Sequence, residues 1–149
     1  MSAHHETIRL EQHLHVPPER AFAAYLDTTA REVWSAPSDT AAVKIDNAEV
    51  RSGGSETTRC GSKGDLRYRT EVRYHFVVPN RLISFSETLI EGDTVVTAAL
   101  ITFDYRAADG GTQLIVTDQV TSFDGPEAID GHRQGFSASL HNYAAFFPN

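Results

Sequence analysis

The sequence is poor in cysteine, in basic charge and in long apolar runs. Its single cysteine, Cys60, cannot close an intrachain disulfide, which excludes a disulfide-stapled scaffold and points to a reducing compartment. Thirteen Lys and Arg face twenty Asp and Glu, a formal charge of −7, whereas nonspecific nucleic-acid binding needs clustered basic residues. No stretch approaches the roughly 20 apolar residues that cross a bilayer. Met1-Ser2-Ala3-His4-His5-Glu6 lacks the basic start and apolar centre of a signal peptide, so a cytoplasmic protein is expected. Also missing are a helical His-x-x-x-His pair, a Gly-x-Ser-x-Gly elbow and a glycine loop between strand and helix. No metal, cofactor or serine nucleophile is therefore expected, and no catalytic residue is assigned. His13 and His15 share the outward face of a strand, and His132 and His141 fall on opposite sides of a helix, so neither pair converges on an ion.

What is present is ordinary for one globular domain: 149 residues, 40% hydrophobic and 22% charged. A single domain over 1–149 is expected, ordered over about 7–147. Residues 7–16 alternate, with Ile8, Leu10, Leu14 and Val16 opposite Arg9, Glu11, His13 and His15, as in a half-buried strand. His4 and His5 are expected in a frayed end. Pro17-Pro18-Glu19-Arg20 then starts a helix carrying Ala21, Phe22, Tyr25 and Leu26. Asp27 and Thr28 read as caps of a second short helix ending near Pro37. Strands follow around Val43–Val50 and Ser55–Cys60, then at 66–76, 81–90, 94–105 and 112–121, punctuated by Gly-rich and Asn-containing turns. From Pro126 on, Ile129, Phe136, Leu140, Tyr143 and Phe147 mark one face of a helix of about twenty residues.

Hairpin-length connections make the sheet antiparallel, and a sheet of six or seven strands must curl. The one long amphipathic helix available to cover it is the last. A bent sheet and a straight helix do not match in shape, which predicts a space between them. On the strand at 66–76, Leu66, Tyr68, Thr70, Val72, Tyr74 and Phe76 alternate with Arg67, Arg69, Glu71, Arg73 and His75. The arginine row reads as a solvated outer face balanced by acids. Parity also places Glu87 among Ile83, Phe85 and Leu89, and Asp118 among Leu114, Val116 and Val120. A carboxylate on an apolar face costs several kcal/mol unless paired, hydrated or protonated, which suits the wall of a ligand cavity. The candidate ligand-binding residues are thus Tyr68, Thr70, Tyr74, Glu87 and Asp118, with Trp34, Phe85, Phe103, Phe136 and Leu140 as apolar wall. Cys60 carries no signature of a nucleophile.

Several stretches resemble a known family. Pro17-Pro18-Glu19-Arg20-Ala21-Phe22 followed by Trp34, then Gly53-Gly54, Val78-Pro79-Asn80-Arg81-Leu82, Thr102-Phe103 with Gly110-Gly111-Thr112-Gln113-Leu114, and the start of the last helix at Gly131–Leu140 are similar to the activator of heat-shock-protein-90 ATPase homologue-like proteins. These belong to the START-like, or SRPBCC, group with the helix-grip fold of the birch pollen allergen. Where that family often carries paired tryptophans and Gly-Pro, this chain has Trp34-Ser35-Ala36-Pro37. The resemblance implies an α+β helix-grip fold: a curved antiparallel sheet around a long C-terminal helix, with two short helices after the first strand. It implies a protein that binds a small apolar or amphipathic molecule, with monomer and homodimer both left open. Two alternatives come with it. One is a cyclase- or dehydratase-like enzyme using Asp118 or Glu87 with Tyr68 for proton transfer. The other is a chaperone or stress-response regulator, although the further domain of the eukaryotic activators has no counterpart in this sequence. Fold alone implies none of these.

Overall fold

The computed structural model describes residues 2–148. Seven strands, β1 (His4–Leu14), β2 (Ala41–Ala48), β3 (Ser55–Ser62), β4 (Asp65–Val78), β5 (Leu82–Glu91), β6 (Thr94–Ala108) and β7 (Gly111–Ser122), form one sheet. Its order is β1-β7-β6-β5-β4-β3-β2, antiparallel throughout, so β2 to β7 run as a meander and β1 closes on β7. Two short helices, α1 (Pro18–Leu26) and α2 (Thr28–Ser35), follow β1, and α3 (Glu127–Phe146) ends the fold. This is the helix-grip arrangement. No helix among the described residues is long and apolar enough to cross a membrane.

Local chemistry sets the elements. Pro18 opens α1 with its φ already helical. The Asp27 carboxylate caps α2 by accepting from the Thr29 and Ala30 amides at 3.1 and 3.2 Å. Turns that require left-handed backbone use Asn80 (φ 65°) between β4 and β5 and Gly110 (φ 76°) between β6 and β7. The inward face of β7 is buried at every alternate residue from Thr112 to Ser122.

Two expectations need correction. Phe76 does not continue the inward face of β4: it is 58% exposed. A bulge at His75 shifts the register, since Tyr74 pairs with Phe85 but Phe76 with Ser84. One extra residue reverses the alternation, and Val77 packs against the core instead. His4 and His5 are not frayed either. They pair with Ser122 and Thr121, because the open edge of β7 offers backbone partners that no side-chain pattern advertises.

The core lies between the concave sheet and the helices, with Phe22, Tyr25, Trp34, Tyr105 and Tyr143 buried within it. The C-terminal half of α3 is clamped. Trp34 stacks on Tyr143 at 3.9 Å and its indole donates to the Ala24 carbonyl. Ser139 and Asn142 donate to the carbonyls of Ser35 and Ala36 at 2.7 and 2.9 Å. The helix packs closely on β1, β7 and α2 but not on β3, β4 or β5. The stand-off on that side is what makes room for a site.

Candidate functional site

Between β3–β5 and the N-terminal half of α3 lies a cavity of about 990 Å³. Phe85 and Phe103 from the sheet, Trp34 from α2 and Phe136 and Leu140 from α3 give it apolar walls, with Tyr68, Thr70 and Glu87 also facing it. Exposed residues of the α2–β2 loop, the β3–β4 hairpin and the start of α3, among them Ser38, Asp65 and Glu127, form its rim. Gly131 and Gly135 turn their faces of α3 to the same space, and a Cβ on either would meet no heavy atom within 4 Å. Glycine inside a helix costs about 0.5–1 kcal/mol relative to alanine. Here it widens the chamber.

Two sequence candidates do not line the cavity: Tyr74 and Asp118. Both are fully buried one layer behind it, and each is committed to a partner that sequence reading did not identify.

Tyr74 belongs to a cluster at the α2 end. Arg31 on α2 holds Glu56 on β3 through two parallel hydrogen bonds of 2.8 and 2.7 Å. Tyr74 donates to Glu56 at 2.9 Å, so the Tyr25 hydroxyl, 3.1 Å from that of Tyr74, donates to it in turn. The guanidinium also lies over the Tyr25 ring at 4.4 Å. Burial pushes the hydroxyls of Tyr25 and Tyr74 well above the usual tyrosine range, so both stay neutral donors.

Asp118 belongs to a second cluster. On the inward sheet face, Glu87 of β5 lies opposite Ala99 of β6, while Asp118 of β7 lies opposite Ile101. Two strand spacings, roughly 10 Å, separate them. His132 of α3 bridges the gap: its Nδ1 donates to Asp118 Oδ2, and its Nε2 stands 3.8 Å from Glu87 Oε1. Burial works against the imidazolium, but the Asp118 carboxylate, with a smaller contribution from Glu87, outweighs it and raises the His132 pKa above the ordinary value. Glu87 is pushed up to about 7, first by burial and then by the neighbouring Asp118 and Glu56, with His132 opposing. Burial likewise pushes the Cys60 thiol up to about 11, which leaves it a poor nucleophile. Among the described residues, no three His, Cys, Asp or Glu side chains converge on a metal-sized point.

Tyr68, the partner foreseen for proton transfer with either carboxylate, is not near them. It pairs across the sheet with Glu91, four residues of strand from Val72, which faces Glu87, roughly 13 Å at strand rise.

Three residues escaped sequence reading: Arg31, Glu56 and His132. Strand β3 is polar on both sides, so no apolar parity marked Glu56 as inward. Arg31 sits on a short amphipathic helix, where residue type alone does not mark an arginine as inward. His132 did carry a signal, standing one helical turn before Phe136 on the apolar face.

The profile of the family described as Activator of Hsp90 ATPase homolog 1-like protein matches residues 15–147, most of the chain. The protein belongs to that family. Its fold recurs in a structure of an uncharacterized protein from Rhizobium leguminosarum, 30% identical over 97% of this chain and 95% of that one, with a TM-score of 0.83. A Rhizobium loti protein is 26% identical over 99% and 100% of the two chains, also at 0.83. A Chromobacterium violaceum protein shares the fold at 23% identity over 96% and 98%, again at 0.83. No curated protein matches the sequence. Membership in this family, with its START-like fold, supports a general ligand-binding role.

Proposed function

We propose that this protein binds a small, mainly apolar molecule carrying a polar head group, held between β3–β5 and the N-terminal half of α3. The observation that carries this reading is the cavity. Its volume of about 990 Å³ falls at the upper end of the ~300–1,000 Å³ range of small-molecule sites. Aromatic and aliphatic walls with a few convergent polar groups are the usual chemistry of such sites. The two helix glycines keep the space open at a cost in helix stability, which a merely structural gap does not call for.

The protein has one tryptophan, and Trp34 lies on the cavity wall, so its fluorescence reports occupancy there. The test joins native mass spectrometry of the purified protein with Trp34 titrations against lipid, aromatic and amine probes. A retained small molecule, or a saturable response that Gly135→Leu removes by filling the chamber, is the expected result. An empty protein with neither a response nor a thermal shift across the whole set overturns the reading. In that outcome a chaperone contact, which the family's description suggests, becomes the better account.

A further inference from the structure

We propose that the ligand is an amphipathic amine, whose apolar body lies along the aromatic wall and whose ammonium pairs with the Glu87 carboxylate. This rests on the cavity-binding reading above and adds the chemistry of the head group.

The argument is one of charge matching. The ionic groups gathered around the inner cavity are Arg31 of α2, His132 of α3, Glu56 of β3, Glu87 of β5 and Asp118 of β7. Arg31 is engaged by Glu56 through both terminal nitrogens, and its Nε is buried without a hydrogen-bond partner. His132 is engaged by Asp118. Two basic groups are thus matched by two carboxylates, and Glu87 is left over. Its basic neighbour, His132 Nε2, stands 3.8 Å away, within ion-pair range when protonated but beyond hydrogen-bond reach.

A carboxylate in an apolar wall is compensated by a proton or by a cation. Burial, reinforced by Asp118 and Glu56 and opposed by His132, gives Glu87 a proton affinity at which the two compete near neutrality. The surroundings favour a cation. Asp65, Asp124 and Glu127 stand on the rim, and the rim cation Arg67 is already held by Asp65 at 2.9 Å and lies 3.8 Å from Glu91. The net charge of −7 draws cations toward this mouth. Inside, the aromatic wall of Trp34, Phe85, Phe103 and Phe136 is chemistry that tolerates a cation as well as an alkyl chain. An anionic head group would meet carboxylates at the rim and an unmatched one within.

Three decyl probes that differ only in the head group separate the cases: decylamine, decanol and decanoate, titrated by calorimetry and Trp34 fluorescence. At pH 8 decylamine should bind at least about tenfold more tightly than decanol, the scale of one charge-assisted hydrogen bond, with decanoate the weakest. The amine preference should fall about tenfold by pH 5.5, as the proton takes Glu87. Glu87→Gln should erase the difference between decylamine and decanol at pH 8. The pH comparison on the unaltered protein decides the matter if that variant does not fold. Equal binding of amine and alcohol at pH 8, or an amine preference that survives in Glu87→Gln or at pH 5.5, overturns the proposal and leaves the cavity reading intact. Binding of none of the three probes overturns the proposal, and the cavity reading falls with it only where the wider probe set also gives no response.

Discussion

Two polar clusters share the same apolar chamber and differ in how far they are satisfied. At the α2 end, Arg31, Glu56, Tyr74 and Tyr25 form a closed chain in which both carboxylate oxygens and both guanidinium Nη atoms have partners and only the buried Arg31 Nε has none. At the α3 end, Asp118 holds His132, but Glu87 stands without a hydrogen bond from it and Asp118 Oδ1 has no partner. A closed buried network rigidifies, and its charges are spent on each other. An open one keeps a group whose protonation or pairing can still change. The first cluster is therefore read as support for the wall, and the second as the part of the wall that meets a ligand.

Breaking the closed cluster should have the largest effect. Glu56→Ala strands the Arg31 guanidinium and the Tyr74 hydroxyl in the interior and should destabilise the protein by about 3–5 kcal/mol in urea unfolding. Replacing both partners with apolar residues of similar size, Arg31→Met with Glu56→Leu, should recover most of that loss, since no buried charge is then left alone.

The open cluster predicts a gain. Glu87 titrates at about 7 in the folded protein, against an ordinary carboxyl value of 4.5. The folded state therefore holds this proton more tightly than the unfolded chain, and stability falls as pH rises from about 4.5 through 7. Glu87→Gln removes that penalty. It should be more stable than the unaltered protein at pH 8, by up to about 3 kcal/mol, and should lose the advantage near pH 4. A Gln variant less stable at pH 8 would place Glu87 in the closed class.

Asp118→Asn sharpens the contrast from the other side. The Asp118 carboxylate is what holds the His132 pKa up against burial, so the variant's ring should titrate below the ordinary histidine value in NMR. A raised His pKa stabilises the fold fully below the unfolded value, and the benefit fades as pH rises through the folded one. The loss in Asp118→Asn, about 2 kcal/mol, should therefore be seen on the acid side. The smallest change is Gly135→Ala, which should stabilise α3 by about 0.5–1 kcal/mol while weakening binding of bulky probes.

Much of the site was visible in residue order. Alternation placed Thr70, Phe85, Glu87 and Asp118 on inward positions, and helical spacing did the same for Phe136 and Leu140, as the structure has them. Inward is not the same as exposed to the chamber, however. Tyr74 and Asp118 were drawn behind the wall by Glu56 and His132, whose approach depends on how α2 and α3 pack. The bulge at His75, which turned Phe76 out to solvent, is also invisible to a period-two pattern, because one skipped pairing leaves no mark on residue types.

Turn chemistry and hydrophobic periodicity act over a few residues, so the element order, the antiparallel meander and the amphipathic last helix follow from the chain itself. Which buried charges meet does not. Arg31 and Glu56 lie 25 residues apart and His132 and Asp118 14 apart, and each pair forms only where a helix crosses the sheet. The same crossing decides that α3 leans on β1 and β7 and leaves β3–β5 uncovered. Local sequence sets the faces of each element, while their meeting is a balance of packing and desolvation over the whole fold, and that balance left Glu87 facing open space.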